Sequence, residues 1–419
     1  MEVAILKIGS IQGLFPDERK IDIKFQVVFE SNEIVIEFYE ALPNNLEINN
    51  NLFITEGDGN ELTFFACGLK QTKNKGTNQI TALTVYFNTC LNGITINSFE
   101  ELACKSLSFE IDSDPIPLLH SLSRKSFQLN GVSLEFRDSS NPTGVSCILT
   151  PSNSDALVSE LETVFFEICN ILFLCLGFYP YIKGQNILYD ERIVEIFHLY
   201  PNKYIKGNSP SHWTSGITTI RDINLSAAHC KYTQMFKEND IVIEVLSNTV
   251  HSKGSYIDLL LSTLVQCVEG YMRTWHKHQR FSDEVKRKII DLILPALNDW
   301  AEETEVSIAT LKESIKGLLG NINSPSLKEC LDDAFKLNAS TKRIVKREID
   351  ANEYKDFINK SGAVRNQFSH MTPKKNRFFD LSEIVKAFEK YKLLLRVLIL
   401  SDLGINPISI DRLITIIDD

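Results

Sequence analysis

The 419-residue sequence lacks the patterns that would place it in several common function classes. Its most apolar stretch, residues 168–178, is interrupted by Asn170 and is shorter than the roughly 20 residues that span a membrane. We therefore expect a buried amphipathic helix there and no membrane association. No secretory leader is expected, because strand-like residues follow Met1 directly. P-loop, dinucleotide-binding and His-Glu-x-x-His motifs are also missing, so nucleotide-driven and zinc-protease chemistry lack support.

The nine cysteines form no CxxC pair and follow no regular spacing. This favours buried thiols in a reducing cytoplasm over a framework of disulfide bonds. A zinc site built from His212, His229 and Cys230 is an alternative, although the spacing matches no standard set of ligands. The sequence therefore predicts a cytoplasmic protein that needs no metal and no other cofactor.

The whole chain has a formal net charge of −10, and its negative charge is concentrated in the first half. Residues 226–419 contain 28 Lys and Arg against 27 Asp and Glu, which leaves 16 against 27 for residues 1–225. An acidic half is a poor platform for nucleic acid, whereas local basic groups in the second half can guide a polyanion. Ordinary solvated faces remain the alternative interpretation.

Residues 1–150 have the alternation and composition of short β-strands separated by turn residues. The segments richest in β-branched and aromatic residues are 21–29, 33–39, 62–67 and 79–87. A helix is predicted over 156–178, and the segment from there to about residue 224 has a mixed pattern. We expect a β-rich N-terminal domain over residues 1–225, either sandwich-like or a curled sheet.

From Ser255 onward the apolar residues recur at helical spacing. The predicted helices are 256–279, 283–300, 307–319, 327–337, 351–370, 383–403 and 408–417. Ser324-Pro-Ser precedes the fourth helix as a cap, Ser382 opens the sixth, and Gly404 closes it. The fold class is therefore α+β in two domains, with an all-α bundle over residues 226–419.

Near the end of the predicted helix 351–370 stands the segment Val364-Arg-Asn-Gln-Phe-Ser-His370. An Arg, four residues and a His, with Asn directly after the Arg, late in a helix of a C-terminal bundle, resembles the signature of the HEPN superfamily. A β-rich N-terminal domain joined to such a bundle resembles the ApeA-like group of abortive-infection proteins. The resemblance covers about residues 230–410 by pattern and the N-terminal part by architecture.

This resemblance implies a metal-independent endoribonuclease that cleaves host RNA, with tRNA as a candidate class, in anti-phage defence by abortive infection. It also implies a homodimer or higher homo-oligomer, in which two copies of the motif face each other. The N-terminal domain would sense a phage-derived trigger or restrain the nuclease. A non-catalytic HEPN scaffold that binds RNA or protein is the main alternative, and an antitoxin-like partner is a third.

The residue types in the motif suit cleavage of RNA by its own 2′-hydroxyl, with Arg365, Asn366 and His370 as the catalytic set. Histidine, with a reference pKa of ~6.5, exchanges protons near neutral pH, and arginine can hold two phosphate oxygens. Arg365 and His370 lie roughly 140° apart around a helix, so Arg365 must reach sideways. Asn366 shares a face with His370 and is expected to orient the imidazole. Taken singly, a His at a helix end and a surface Arg have ordinary structural explanations.

Further candidates surround the motif. Glu269 and Tyr271 lie on the first long helix of the bundle, where the resemblance implies a polar or acidic residue, although a solvated helix face is equally compatible. Ser369 adjoins His370 and is a candidate phosphate contact. The residues expected to bind the RNA backbone are Lys374, Lys375 and Arg377, directly after the motif. The other candidates for RNA contacts are Lys342, Arg343, Lys346, Arg347, Trp275, His276 and His278.

Overall fold

A computed structural model describes most of the chain. The described residues are 5–12, 21–29, 34–38, 51–56, 61–65, 68–73, 80–112, 122–139, 144–198, 200, 204, 223–237, 241–251, 256–276, 282, 284–285, 287–289, 291–293, 295–296, 325–345, 351–370 and 379–407. Ser369 and His370 are among those described as backbone only. The described residues up to Met235 belong to one compact unit, and those from Phe236 onward belong to a second.

The first unit is built on antiparallel strands. They are β1 (Ile5–Gln12), β2 (Ile21–Phe29), β3 (Ile34–Phe38), β4 (Asn51–Glu56), β5 (Glu61–Phe65), β6 (Gly68–Lys73), β7 (Ile80–Phe87), β8 (Thr89–Asn92), β9 (Ala103–Cys104), β10 (Ser106–Asp112), β11 (Ser126–Leu129), β12 (Val132–Asp138), β13 (Gly144–Pro151), β14 (Ala156–Leu157), β15 (Tyr181–Tyr189) and β16 (Arg192–His198). Within the described ranges, fourteen strands share one sheet in the order β11-β12-β13-β10-β15-β16-β8-β5-β4-β1-β2-β3-β7-β6, and β9 pairs with β14. The predicted β-rich N-terminal region is confirmed.

Strand β10 and helix α1 (Val158–Leu176) form part of the core of this unit. In β10 every second residue is apolar, and Leu107, Phe109 and Ile111 are at most 1% exposed. The ring of Phe109 stacks on Phe165 of α1, with 3.5 Å between the centroids. Helix α1 ends at Gly177, whose φ of 84° is left-handed and is best accepted by glycine.

One detail of the predicted N-terminal region needs correction, and another becomes more specific. The helix predicted over 156–178 starts at Val158, because residues 156 and 157 pair with β9 instead. The mixed segment after it contains the strands β15 and β16. Polar residues in the middle of β15 interrupt the alternation of apolar and polar residues that predicts a strand. Gln185 is fully buried there, and its side chain is hydrogen-bonded to Glu162 and Tyr200, at 2.6 and 2.5 Å.

Helix α2 (Leu225–Phe236) follows and makes polar contacts with α1. His229 Nε2 lies 2.7 Å from Glu167 Oε2, and Asn170 Nδ2 donates to Tyr232 Oη at 2.9 Å. The domain boundary after residue 225 stays a prediction. Of the zinc alternative, His212 lies outside the described residues, and among those that are described no cluster of three His, Cys, Asp or Glu is suited to hold a metal.

The second unit is helical, as predicted. Its helices are α3 (Ile241–His251), α4 (Ile257–Trp275), α5 (Leu327–Lys336), α6 (Ala339–Val345), α7 (Ala351–His370) and α8 (Leu381–Asp402). Helix α4 packs against α5, α7 and α8 and is thus central to the bundle. Of the other predicted helices, 307–319 and 408–417 lie outside the described residues. The residues of the predicted helix 283–300 that are described are all helical.

Local hydrogen bonds explain where two of these helices begin and end. Ser326 caps α5 in a reciprocal pair with Glu329, as Ser324-Pro-Ser led us to expect. Helix α8 is capped by Asp380 rather than by the predicted Ser382, because the Asp380 carboxylate accepts from the backbone N–H of Glu383 at 2.8 Å. Gly404, with φ of 79°, terminates α8 as predicted. In the part of the chain that is described, no helix is long and apolar enough to cross a membrane.

Candidate functional site

Helix α7 positions the Arg-Asn-x-x-x-His segment against the centre of the bundle. Its inner face buries Ile358, Ser361 and Gly362, and a Cβ at Gly362 would lie 3.7 Å from Leu327 of α5. Arg365 is one turn beyond Ser361 on the same face, because residues four apart are neighbours on a helix. The backbone of α7 therefore aims the Arg365 side chain inward, towards α4.

Arg365 forms an ion pair with Glu269 of α4. Its Nη2 atom lies 3.1 Å from Glu269 Oε2, and the two side chains are 25% and 8% exposed. This answers the question that the sequence left open about Glu269: it occupies no solvated face but is buried against the motif helix. A buried carboxylate must be paired, because desolvation of an unpaired charge is costly.

A second arginine shares the same carboxylate. Arg273, one turn after Glu269 on α4, places Nη2 2.7 Å from Glu269 Oε1 and 3.0 Å from the carbonyl oxygen of Pro325. It also lies next to Cys330 of α5, where burial raises the pKa of the thiol against the opposing effect of Arg273. Two guanidinium groups thus face one carboxylate, which leaves a net positive charge suited to a phosphate.

Asn366 lies at the surface end of this cluster. It is exposed, and its Oδ1 accepts a hydrogen bond from Arg365 Nη1 at 3.2 Å. Arg365 Nε is buried and has no hydrogen-bond partner among the described residues. The Arg365 guanidinium is therefore held at both Nη atoms, while its Nε–H donor is unused within the described part of the chain.

The other residues of the predicted site are only partly described. His370 and Ser369 lie in the last turn of α7, and their side chains are outside the described part. The basic residues Lys374, Lys375 and Arg377 also lie outside it. The catalytic and RNA-binding roles of these five residues remain predictions.

Tyr271 lies on the opposite face of α4 from Glu269, because two residues correspond to about 200° around a helix. Its hydroxyl donates to Asp402 Oδ2 of α8 at 2.5 Å. Burial, and to a lesser extent the negative charge of Asp402, raise the pKa of Tyr271 well above the usual value. His276 Nε2 lies 2.9 Å from the same Asp402 oxygen. Trp275 stacks on Tyr271 with 4.9 Å between centroids. The described contacts of Tyr271 and Trp275 thus lie where the C-terminal ends of α4 and α8 meet, and they do not include Arg365.

Sequence reasoning missed Arg273 and Asp402. For Arg273 a signal was present: it follows Glu269 by four residues, the spacing at which an acid and a base pair on a helix. Asp402 had no local signal, since its partners Tyr271 and His276 are far away in the sequence. Of the remaining candidates for RNA contacts, Lys342 and Arg343 are exposed on α6, and Lys346, Arg347 and His278 lie outside the described residues.

The fold and the site together define a class of protein. Its helical bundle carries Arg-Asn-x-x-x-His at the end of a long helix, and the arginine of this motif pairs with an acid on the first long helix of the bundle. Residues 262–407 match the family model described as Apea-like HEPN, so this part of the chain is an Apea-like HEPN domain. The match covers less than half of the chain. Searches among curated proteins and among solved structures returned no match. HEPN domains are generally ribonucleases, and they commonly bind RNA and form dimers.

Proposed function

We propose that the protein is a metal-independent endoribonuclease whose active site is formed by Arg365, Asn366 and His370 of α7. The observation that carries this proposal is the inward Arg365, paired with buried Glu269, in a region that matches the Apea-like HEPN family. An arginine that is paired by a buried acid is held in one orientation, and catalysis depends on such preorganised charge.

The proposed reaction is attack of a ribose 2′-hydroxyl on the adjacent phosphorus. The O–P bond to the 5′-oxygen of the next nucleotide breaks, so that the products carry a 2′,3′-cyclic phosphate and a 5′-hydroxyl. The 2′-hydroxyl loses a proton and the leaving 5′-oxygen gains one, and His370 exchanges a proton with one of these two oxygens, since imidazole titrates near neutral pH. Arg365 stabilises charge on the phosphate oxygens, and Asn366 holds Nη1 of Arg365 from the solvent side.

The wider assignments follow the family. A homodimer brings two copies of the motif to one cleft, and Lys374, Lys375, Arg377 and Ser369 contact the RNA backbone. The protein acts in the cytoplasm in anti-phage defence by abortive infection, with host tRNA as a substrate class. The acidic N-terminal region detects a phage-derived trigger or restrains cleavage, a role inferred from the architecture of the chain.

The test is incubation of the purified full-length protein with total cellular RNA in EDTA, followed by sequencing of the new ends. Wild type is compared with His370→Ala and Arg365→Ala, and Lys355→Ala, exposed on the same helix, serves as the control. We expect new ends with wild type and the control only. Equal cleavage by His370→Ala would remove His370 from the mechanism.

Absence of cleavage by every variant leads to a second comparison, with extract from phage-infected cells added. Cleavage that then appears only with wild type and the control supports a triggered nuclease. If none appears, the HEPN domain acts as a scaffold and the enzymatic proposal is wrong.

A further inference from the structure

Arg273 is placed to control how tightly Glu269 can hold the proposed phosphate-binding arginine. Each oxygen of Glu269 has its own arginine: Oε1 lies 2.7 Å from Arg273 Nη2, and Oε2 lies 3.1 Å from Arg365 Nη2. Glu269 therefore offers Arg365 a single oxygen, and their contact is monodentate.

The unused donor of Arg365 shows what this sharing prevents. A guanidinium and a carboxylate normally pair through two parallel hydrogen bonds, for which Nε and one Nη are a suitable edge. Arg365 Nε is buried and lacks a hydrogen-bond partner in the described part of the chain, although Glu269 is bonded to the neighbouring Nη2. The oxygen that would complete the fork is the one that Arg273 holds.

We infer that Arg273 is a positioning residue that keeps Glu269 from closing on Arg365 as a bidentate pair, and so leaves the Arg365 guanidinium available to an RNA phosphate. Arg273 can hold this position because the Pro325 carbonyl accepts from the same Nη2 at 3.0 Å. The inference rests on the proposed function, since it assigns Arg365 to the phosphate.

The charges of the cluster lead to the same conclusion. With Arg273 present, two guanidinium groups share one carboxylate, and the cluster keeps a net positive charge. Without Arg273, the buried Glu269 has only Arg365 to compensate it among the groups described here, and a one-to-one pair has no net charge left for a phosphate. Loss of Arg273 should therefore act through Glu269, and it should have little effect when Glu269 is uncharged.

A double-mutant cycle on the full-length protein tests this dependence. Arg273→Gln is made in the wild-type background and in a Glu269→Gln background, and kcat and KM for RNA cleavage are measured. In the wild-type background we expect kcat to fall about 10- to 100-fold, the scale on which a displacement of a catalytic group by ~1 Å acts. In the Glu269→Gln background the same change should cost less than about threefold. Arg273→Lys, which keeps the charge near Oε1, should recover most of the lost kcat.

A second readout separates this inference from the proposed function. Binding of an RNA with 2′-O-methyl riboses, which cannot be cleaved by 2′-hydroxyl attack, is measured for the same four proteins. If wild type binds this RNA but cleaves no all-ribose RNA, even with extract from infected cells added, the proposed function fails and the binding cycle alone decides about Arg273. Suppression of the Arg273→Gln defect by Glu269→Gln supports the inference.

Two results would overturn it: no defect in Arg273→Gln, or a defect of equal size in both backgrounds. The latter means that Arg273 touches RNA itself or merely supports the fold. Thermal unfolding verifies that each variant is folded. If Arg273→Gln is unfolded, the cycle is run with Arg273→Met, whose unbranched chain keeps the packing of the arginine stem.

Discussion

Replacement of Glu269 by Gln removes one buried charge and leaves the side-chain shape almost unchanged. Glu269 is 8% exposed and contacts Arg273 and Arg365 at 2.7 and 3.1 Å. Removal of one partner from a fully buried pair costs about 3–5 kcal/mol, whereas exposed pairs contribute only ~0–1 kcal/mol. The arginine side chains are 43% and 25% exposed, and Gln keeps one acceptor oxygen, so the cost should lie between these limits. We expect a loss of about 2 kcal/mol in the free energy of unfolding.

Thermal unfolding followed by circular dichroism at the helical band measures this loss. For a domain of this size, about 2 kcal/mol corresponds to a decrease in Tm of roughly 4–8 °C. The matched control is Glu284→Gln, which makes the same chemical change in an exposed pair with Lys288, where the side chains are 76% and 71% exposed. The control should shift Tm by less than ~2 °C. If Glu269→Gln is as stable as the control, or more stable than wild type, the argument from a buried shared carboxylate is wrong.

Three further predictions concern stability. Gly404→Ala should cost about 1 kcal/mol, because Gly404 has φ of 79°. Gly270→Ala should stabilise by ~0.5–1 kcal/mol, because Gly270 lies inside α4 and its added Cβ would come within 4 Å of nothing beyond its chain neighbours and the backbone of its own helix. Urea unfolding of the two variants should give changes of opposite sign. Tyr271→Phe should cost about 1.5–3 kcal/mol, because it removes the donor to Asp402, and an unchanged midpoint of urea unfolding would show that this bond adds nothing. Burial raises the pKa of Glu162, so folding favours its protonated form and loses stability as pH rises through the folded pKa. Glu162→Gln should therefore raise Tm at pH 8, by an amount that shrinks towards pH 4, and a difference that is constant with pH would contradict this.

Helices with strong local signals were predicted well from sequence. The bounds of α7, Ala351–His370, agree with the predicted helix, because its amphipathic spacing and its position before a proline are local features. Ser326 and Gly404 act as caps as expected, since caps depend on a few neighbouring residues. The capping residue of α8 was assigned to Ser382 because two capping residues stand close together and either one fits the pattern.

Features that depend on residues far apart in the sequence could not be predicted from local residue patterns. Strand β15 has the polar residue Gln185 at its centre, which is buried only because Glu162 and Tyr200 bond it. In the same way, the sequence around Glu269 is compatible with either a solvated or a buried side chain. Its burial depends on Arg365 of α7, which is distant in the sequence. The residue types of the site could thus be predicted, but the charge balance around Arg365 could not.

The most direct test of the account is cleavage of a short RNA that contains a mapped cleavage site, beside the same RNA with a single 2′-deoxyribose on the 5′ side of the scissile phosphate. The account predicts that wild type, in EDTA, cleaves only the all-ribose RNA and leaves a 2′,3′-cyclic phosphate. It also predicts that Arg365→Ala and His370→Ala cleave neither RNA. Cleavage of the deoxy-substituted RNA by wild type, or full activity of His370→Ala, would contradict the account.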